Sequence, residues 1–89
     1  MTSKTSVTKY LGSELKSYRK ISGMSGKELA RRLNISQQQV SRYERGVNSL
    51  NLEMLFLYFQ ALEMKDNEVE SIFNELIFNY SEGQKKCIF

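Results

Sequence analysis

Two helix-start signals in the first half of the chain, at Ser25 and Ser36, constrain the fold most strongly. Glu28 follows Ser25 at the spacing of a capping box, and the apolar face that begins after it ends at Leu33. Residues 34–35 then interrupt the pattern before Ser36 can cap another helix. The spacing therefore predicts two short helices joined by a tight turn.

The second of these helices, predicted over 37–45 and closed by Gly46, has a polar outer face. Val40 and Tyr43 are expected to point inward, which leaves five polar side chains to face outward: Gln37, Gln38, Gln39, Ser41 and Arg42. Glutamine can pair with adenine and arginine with guanine through two hydrogen bonds each. A solvated helix face is the alternative, but three consecutive glutamines without a carboxylate favour base reading.

Three further helices complete a predicted all-α, five-helix bundle without proline. The first runs from Lys9 to a stop at Ser22-Gly23, and the fourth, 52–62, is apolar on almost every side and is predicted to be the most buried. The fifth, about 67–80, is capped by Asp66 or Asn67. Residues 1–8 are predicted to be a flexible arm, 9–80 the domain, and 81–89 a tail.

The charge is divided unevenly along the 89 residues. Residues 1–46 hold ten Lys and Arg against three Glu, a net charge of +7, whereas 47–89 hold three Lys against seven Asp and Glu, a net charge of −4. A basic first half is typical of a chain that faces a polyanion. A chance division of surface charge is the alternative.

Composition argues against several other classes of protein. The chain has no histidine and a single cysteine, Cys87, so we expect neither a disulfide within the chain nor a transition-metal site. Neither a nucleophile with its base nor a phosphate-binding glycine loop is visible, so we expect no enzyme and no cofactor. The sequence also lacks a signal peptide or an apolar run long enough to cross a membrane, which predicts a cytoplasmic protein.

The stretch SGKELARRLNISQQQVSRYERG, and more broadly Leu15 to Leu62, resembles the lambda-repressor-like, Cro/XRE-type helix-turn-helix family. Within that family, SQQQVSRYERG more weakly resembles small regulators of fimbrial operons. The resemblance implies a lambda-repressor-like bundle that binds double-stranded DNA and regulates transcription, either as a repressor or as an activator.

The resemblance also assigns roles to individual residues. Gln37, Gln38 and Arg42 match base-reading positions, and Ser41 lies on the same predicted face. Arg19 and Glu44 match a structural ion pair between the first and third helices, although Glu44 at the helix end could instead be solvated. Arg45 and the backbone of the loop through Asn48 match phosphate-contacting positions. Placement alone adds Asn51, where the fourth helix offers free amide groups, and Lys27 near the start of the second helix. Arg31 and Arg32 are expected to be solvated rather than to contact phosphate.

One position departs from the family pattern. Family members usually have glutamine at the second position of the second helix, where it contacts phosphate and braces the first base-reading glutamine. This chain has Gly26 there. Either Ser25 or Lys27 takes over the phosphate contact, or Gln37 is held less firmly and the site is read less stringently.

The fifth helix lies outside the family core, and its apolar stripe needs a cover. It could fold back onto the first helix, or it could form a dimer contact through Ile72, Phe73, Leu76, Ile77 and Tyr80, with Ile88 and Phe89 as further contributors. A twofold dimer would present two reading helices about 34 Å apart and bind a palindrome. The alternative is an antitoxin-type module that binds a partner protein through this helix. We expect no small-molecule effector.

Overall fold

Five helices and no strand make up the part of the chain that the structure, a computed structural model, describes: the backbone of residues 4–87 and the side chains of residues 7–81. They are α1 (Lys4–Ile21), α2 (Gly26–Leu33), α3 (Gln37–Glu44), α4 (Leu52–Ala61) and α5 (Asp66–Cys87). The all-α, five-helix prediction is confirmed. No helix within this range is long and apolar enough to span a membrane.

Side-chain caps start three of the helices. The side-chain oxygens of Ser25, Ser36 and Asn51 each accept a hydrogen bond from the backbone N–H three residues later, at 3.0, 3.0 and 2.7 Å. These bonds satisfy donors that the first helical turn leaves without partners. The predicted caps of α2 and α3 are therefore confirmed. The predicted capping box is only half formed, since the Glu28 carboxylate turns to Arg31 and Arg32 instead.

The outer helices are longer than predicted at both ends of the chain. α1 begins at Lys4, inside the segment predicted to be an arm, and α5 continues to Cys87, inside the predicted tail. Neither segment contains proline, and a single internal glycine such as Gly83 costs a helix only about 1 kcal/mol. The cap of α5 also differs from the prediction. Lys65 precedes the helix, and its backbone N–H donates to the Glu68 carboxylate at 2.8 Å.

The core lies between the helices and is built from ten buried residues. These are Leu15, Leu29, Ala30, Leu33, Val40, Leu55, Tyr58, Phe59, Leu62 and Ile72. α4, which was predicted to be the most buried helix, contributes Leu55, Tyr58 and Phe59 to the core. One of its sides is nevertheless open, since Leu52 and Phe56 are 64% and 51% exposed.

α5 folds back onto the bundle and also leaves apolar side chains in solvent. Ile72 is 1% exposed, and the Phe73 ring packs against Phe59 of α4 with the ring centres 6.1 Å apart. Ile77 and Tyr80 remain 61% and 64% exposed. The prediction that the stripe folds back onto the bundle therefore holds for Ile72 and Phe73, while the dimer contact stays a prediction. Ile88 and Phe89, named with it, lie outside the described residues. Ile72 has to be removed from the predicted dimer contact, because its own chain buries it.

Two glycines allow α1 to approach α3 closely. A Cβ atom on Gly12 would overlap the carbonyl oxygen of Tyr43 and lie 2.9 Å from that of Glu44. Gly46, just after α3, has φ of +74°, and a Cβ there would lie 2.6 Å from Lys9 Cγ. Neither position accepts a larger residue without movement of α1, so these contacts fix α1 against the end of α3.

Candidate nucleic-acid interface

The turn between α2 and α3 is short and is held by backbone hydrogen bonds and a side-chain cap. Asn34 adopts a left-handed conformation with φ of 59° at the C-terminal end of α2. Its neighbour Ile35 donates a backbone hydrogen bond to the Ala30 carbonyl at 3.0 Å, and Ser36 then caps α3. Asparagine tolerates this conformation better than most residues do. The turn thus sets the direction of α3 relative to α2.

The outer face of α3 is polar and open. The four side chains predicted to read bases, Gln37, Gln38, Ser41 and Arg42, are all exposed. Gln37, Gln38 and Arg42 make no side-chain hydrogen bond within residues 7–81, whereas the Ser41 hydroxyl accepts one from Arg45 Nε at 3.3 Å. The structure therefore brings the four residues together on one accessible face.

Gln39, the remaining member of the triplet, points elsewhere. Its side chain is only half exposed, and Nε2 donates to the Asn48 side-chain oxygen at 3.2 Å. This bond ties α3 to the loop that precedes α4. Gln39 was expected to face outward with its neighbours, and the structure gives it a supporting contact instead.

The four side chains predicted to contact phosphate are exposed and border this face. Lys27 lies in the first turn of α2 with no ion pair to any described side chain, and Arg45 caps the end of α3. Asn48 and Asn51 lie in the loop between α3 and α4, where the Asn51 side-chain oxygen is used as the α4 cap. An anion at Asn51 would therefore meet the backbone N–H groups of the first turn of α4.

Gly26 leaves space beside the first glutamine. A Cβ on Gly26 would have only one neighbour within 4 Å, the Nε2 of Gln37 at 4.0 Å. Gln37 also lines a groove between α2 and α3 together with Ser25 and Lys27, the two neighbours of Gly26 in sequence. A longer side chain at 26 would fit there and reach Gln37. Within the described side chains, nothing now braces Gln37.

A part-buried ion pair holds α3 from behind. Arg19 of α1 donates from Nε and Nη2 to the two carboxylate oxygens of Glu44 at 2.6 and 3.0 Å, and its Nη1 donates to the Met24 carbonyl at 2.8 Å. The side chains are 12% and 6% exposed. The hydrogen bond to Glu44 raises the pKa of Arg19. The structure thus contains the pair that the resemblance implied, and the carboxylate of α3 faces inward.

An aromatic contact supports the same helix from α4. The rings of Tyr43 and Tyr58 meet edge to face with centres 6.1 Å apart. Tyr58 is fully buried, and its hydroxyl has no hydrogen-bond partner among the described side chains. Burial and the nearby Glu44 carboxylate raise the pKa of Tyr58. Tyr58 therefore supports α3 through the packing of its ring and not through a hydrogen bond of its hydroxyl.

A second candidate surface lies on α4 and α5, which we call the α4–α5 apolar surface: Leu52, Phe56, Phe73, Ile77 and Tyr80. Ring contacts at 6.1 Å run from Phe56 to Phe59 and on to Phe73, which links the two helices. Ile77 follows Phe73 by four residues, so the two lie on one side of α5. Leu76 is half buried at the edge. Sequence reasoning missed Leu52 and Phe56, because a helix apolar all round does not reveal which side is covered.

Comparison with known proteins supports this reading of the fold. A family model described as helix-turn-helix matches residues 15–68. A comparison with curated protein sequences gives no match.

Solved structures of two proteins resemble the chain over most of their length. Two point mutants of the restriction-modification controller protein C.Esp1396I are 25% and 27% identical, cover 80% and 86% of this chain and 96% of their own, and have TM-scores of 0.70 and 0.69. The clp gene regulator ClgR from C. glutamicum is 26% identical, covers 85% of this chain and 91% of its own, and has a TM-score of 0.67. Because the family model spans more than half of the residues, the chain belongs to the XRE-type helix-turn-helix family of DNA-binding transcription regulators.

Proposed function

We propose that this chain is a sequence-specific regulator that reads the major groove of double-stranded DNA with α3. The main observation behind this proposal is the open outer face of α3. There Gln37, Gln38 and Arg42 are exposed and make no side-chain hydrogen bond or ion pair with the described residues. Glutamine and arginine are the side chains that pair with adenine and guanine edges. An α-helix has the diameter that the major groove accepts.

Electrostatics support the same role. The carboxylate of α3, Glu44, is buried against Arg19, so the outer face of the helix carries only the positive charge of Arg42. Lys27 and Arg45 border that face and are also exposed. Phosphate contacts from such side chains set the register of a protein on DNA without reading sequence. We assign Lys27, Arg45, Asn48 and Asn51 this positioning role.

We further propose that the regulator acts as a homodimer on a palindromic operator, joined through the α4–α5 apolar surface. Monomers rarely leave several large apolar side chains exposed side by side. A twofold contact would place two α3 helices about one DNA turn apart. Such a role also fits the cytoplasmic location expected from the sequence, because the protein must reach the genome.

A second candidate, an antitoxin-type module, rests on the same apolar surface, which a partner protein could cover instead. Sedimentation of the purified chain separates the two. A homodimer supports the regulator, whereas a monomer that associates only with a heterologous protein supports the module.

Selection of bound sequences from a random pool of DNA duplexes tests the proposal. We expect enrichment of one site with two symmetric halves, because each α3 would read one half. Enrichment of an asymmetric single site would contradict the dimer, and a bound pool that stays as random as the starting pool would contradict sequence reading.

A further inference from the structure

We propose that the first turns of α1 form an additional phosphate-binding element, with Lys9 as its cationic residue. These turns precede residue 15, where the match to the family model begins. The inference rests on the proposed DNA-binding function. It gives a role in that function to Lys9, which was predicted only to begin the first helix. The ligand is a phosphodiester of the same duplex that α3 reads.

The geometry places Lys9 against the loop that follows the reading helix. A Cβ on Gly46 would lie 2.6 Å from Lys9 Cγ and 2.7 Å from Lys9 Cα, so the Lys9 stem packs directly over Gly46. One residue earlier in α1, the Thr8 hydroxyl lies 3.2 Å from the Ser49 hydroxyl. This turn of α1 therefore borders the 46–49 loop, which leads from the end of α3 to the cap of α4.

The charges around Lys9 leave it available to an anion. Lys9 is exposed and forms no ion pair with the described side chains. The adjoining segment from Arg45 to Leu52 contains no carboxylate. Burial raises the pKa of the neighbouring Tyr10 to about 12, and the carboxylates of Glu14 and of Glu75 on α5 add to this shift. They therefore act on the side of α1 that faces α5.

The chemistry of the cluster suits a phosphate diester rather than a base edge. Lysine provides a point charge on a flexible stem, and hydroxyl groups such as that of Ser49 donate to phosphate oxygens. Arg45 and Asn48 lie on the same loop and are proposed phosphate contacts themselves. Lys9 would extend that row of contacts along the DNA backbone and would not read sequence.

The test compares Lys9→Gln with the parent protein on random-sequence duplex at several salt concentrations. Glutamine keeps the methylene groups that pack over Gly46, so the fold is retained while the charge is removed. Loss of one phosphate contact lowers the slope of log affinity against log salt by about 0.9. The ratio of parent affinity to variant affinity should therefore be about 3.5-fold smaller at roughly 200 mM salt than at roughly 50 mM.

Two further variants complete the design. Lys9→Arg keeps the charge and should keep the parent salt slope. Lys65→Gln is the control, because Lys65 is also exposed but lies between α4 and α5. Carboxylates surround that segment, with Glu68 bonded to the Lys65 backbone and Glu63 bonded to Arg32 of α2. This variant should leave the salt slope unchanged. An unchanged slope for Lys9→Gln would overturn the inference. Failure of the parent protein to bind any duplex would instead overturn the proposed function.

Discussion

Gly12 lies where α1 and α3 approach each other closely. It is buried in α1, and a side chain there would overlap the Tyr43 carbonyl of α3. Close packing of this kind leaves a methyl group no room, so the helices must separate or distort. Gly12 is therefore, with Gly46, one of the two residues that allow α1 to pack closely against α3.

We predict that Gly12→Ala destabilises the protein by about 1 to 3 kcal/mol, the usual cost of overpacking. The measurement is urea unfolding followed by circular dichroism. Gly26→Ala is the matched control. It also lies in a helix, and its new Cβ would meet only Gln37 at 4.0 Å. That variant should be neutral or more stable by up to about 1 kcal/mol. Equal losses in both variants would contradict the packing account.

The sequence could not reveal Gly12. A glycine inside a helical pattern predicts only a weaker helix, since the carbonyl that it faces belongs to a segment more than thirty residues away. The Arg19–Glu44 pair could be predicted only from the family resemblance. No local spacing rule connects residues 25 positions apart.

Breaking the Arg19–Glu44 pair from one side should be costly. Glu44→Ala leaves the Arg19 charge part-buried without its carboxylate, and we predict a loss of about 3 to 5 kcal/mol. Arg31→Ala removes an ion pair with Glu28 whose arginine is 72% exposed, and should cost far less because solvent screens the two charges. Chemical unfolding of both variants decides the matter. A Glu44→Ala loss as small as that of Arg31→Ala would show that the pair is not structural.

At the scale of the helices, local signals predicted the short elements well and the long ones poorly. Ser25, Ser36 and Asn51 each place a side-chain oxygen at the start of a helix, and all three cap it. α1 and α5 instead extend through polar segments that contain no stop signal. The exposed side of α4 could not be predicted because apolar residues occur on almost every side of that helix.

α2 carries an acid-sensitive cluster of Glu28, Arg31 and Arg32. Hydrogen bonds from Arg31 and Arg32 lower the pKa of Glu28 from its ordinary value of 4.5 to about 2. Because the folded-state pKa is the lower one, the stabilisation is present above about pH 4.5 and is lost as the pH falls towards 2. Unfolding free energy measured across this range should fall less steeply for Glu28→Gln than for the parent. Parallel profiles would contradict this assignment.

At the scale of the whole molecule, two surfaces lie on different helices: a basic one around α3 and an apolar one on α4 and α5. The division matches the charge pattern of the chain, in which residues 1–46 carry +7 and 47–89 carry −4. The sequence therefore predicted which half carries the basic surface. It could not predict which apolar side chains stay exposed, because that depends on how α5 folds back.

We predict that Ile77→Glu converts a dimer into a monomer, since it places a charge within the α4–α5 apolar surface. Phe78→Glu is the control: Phe78 is 58% exposed but lines a groove with Asn67 and Asn74 on another side of α5. Sedimentation equilibrium should show monomer for the first variant and dimer for the second. Dissociation by both, or by neither, would rule out this surface as the dimer contact.

The central claim, that α3 reads bases while its flank holds phosphate, is tested most directly by comparing Arg42→Ala with Arg45→Ala on selected and random duplex. We predict that Arg42→Ala costs about 1 to 3 kcal/mol on the selected site and relaxes preference at one base pair, while Arg45→Ala weakens both duplexes alike. If Arg42→Ala also weakened both duplexes by the same factor, α3 would not be the reading helix.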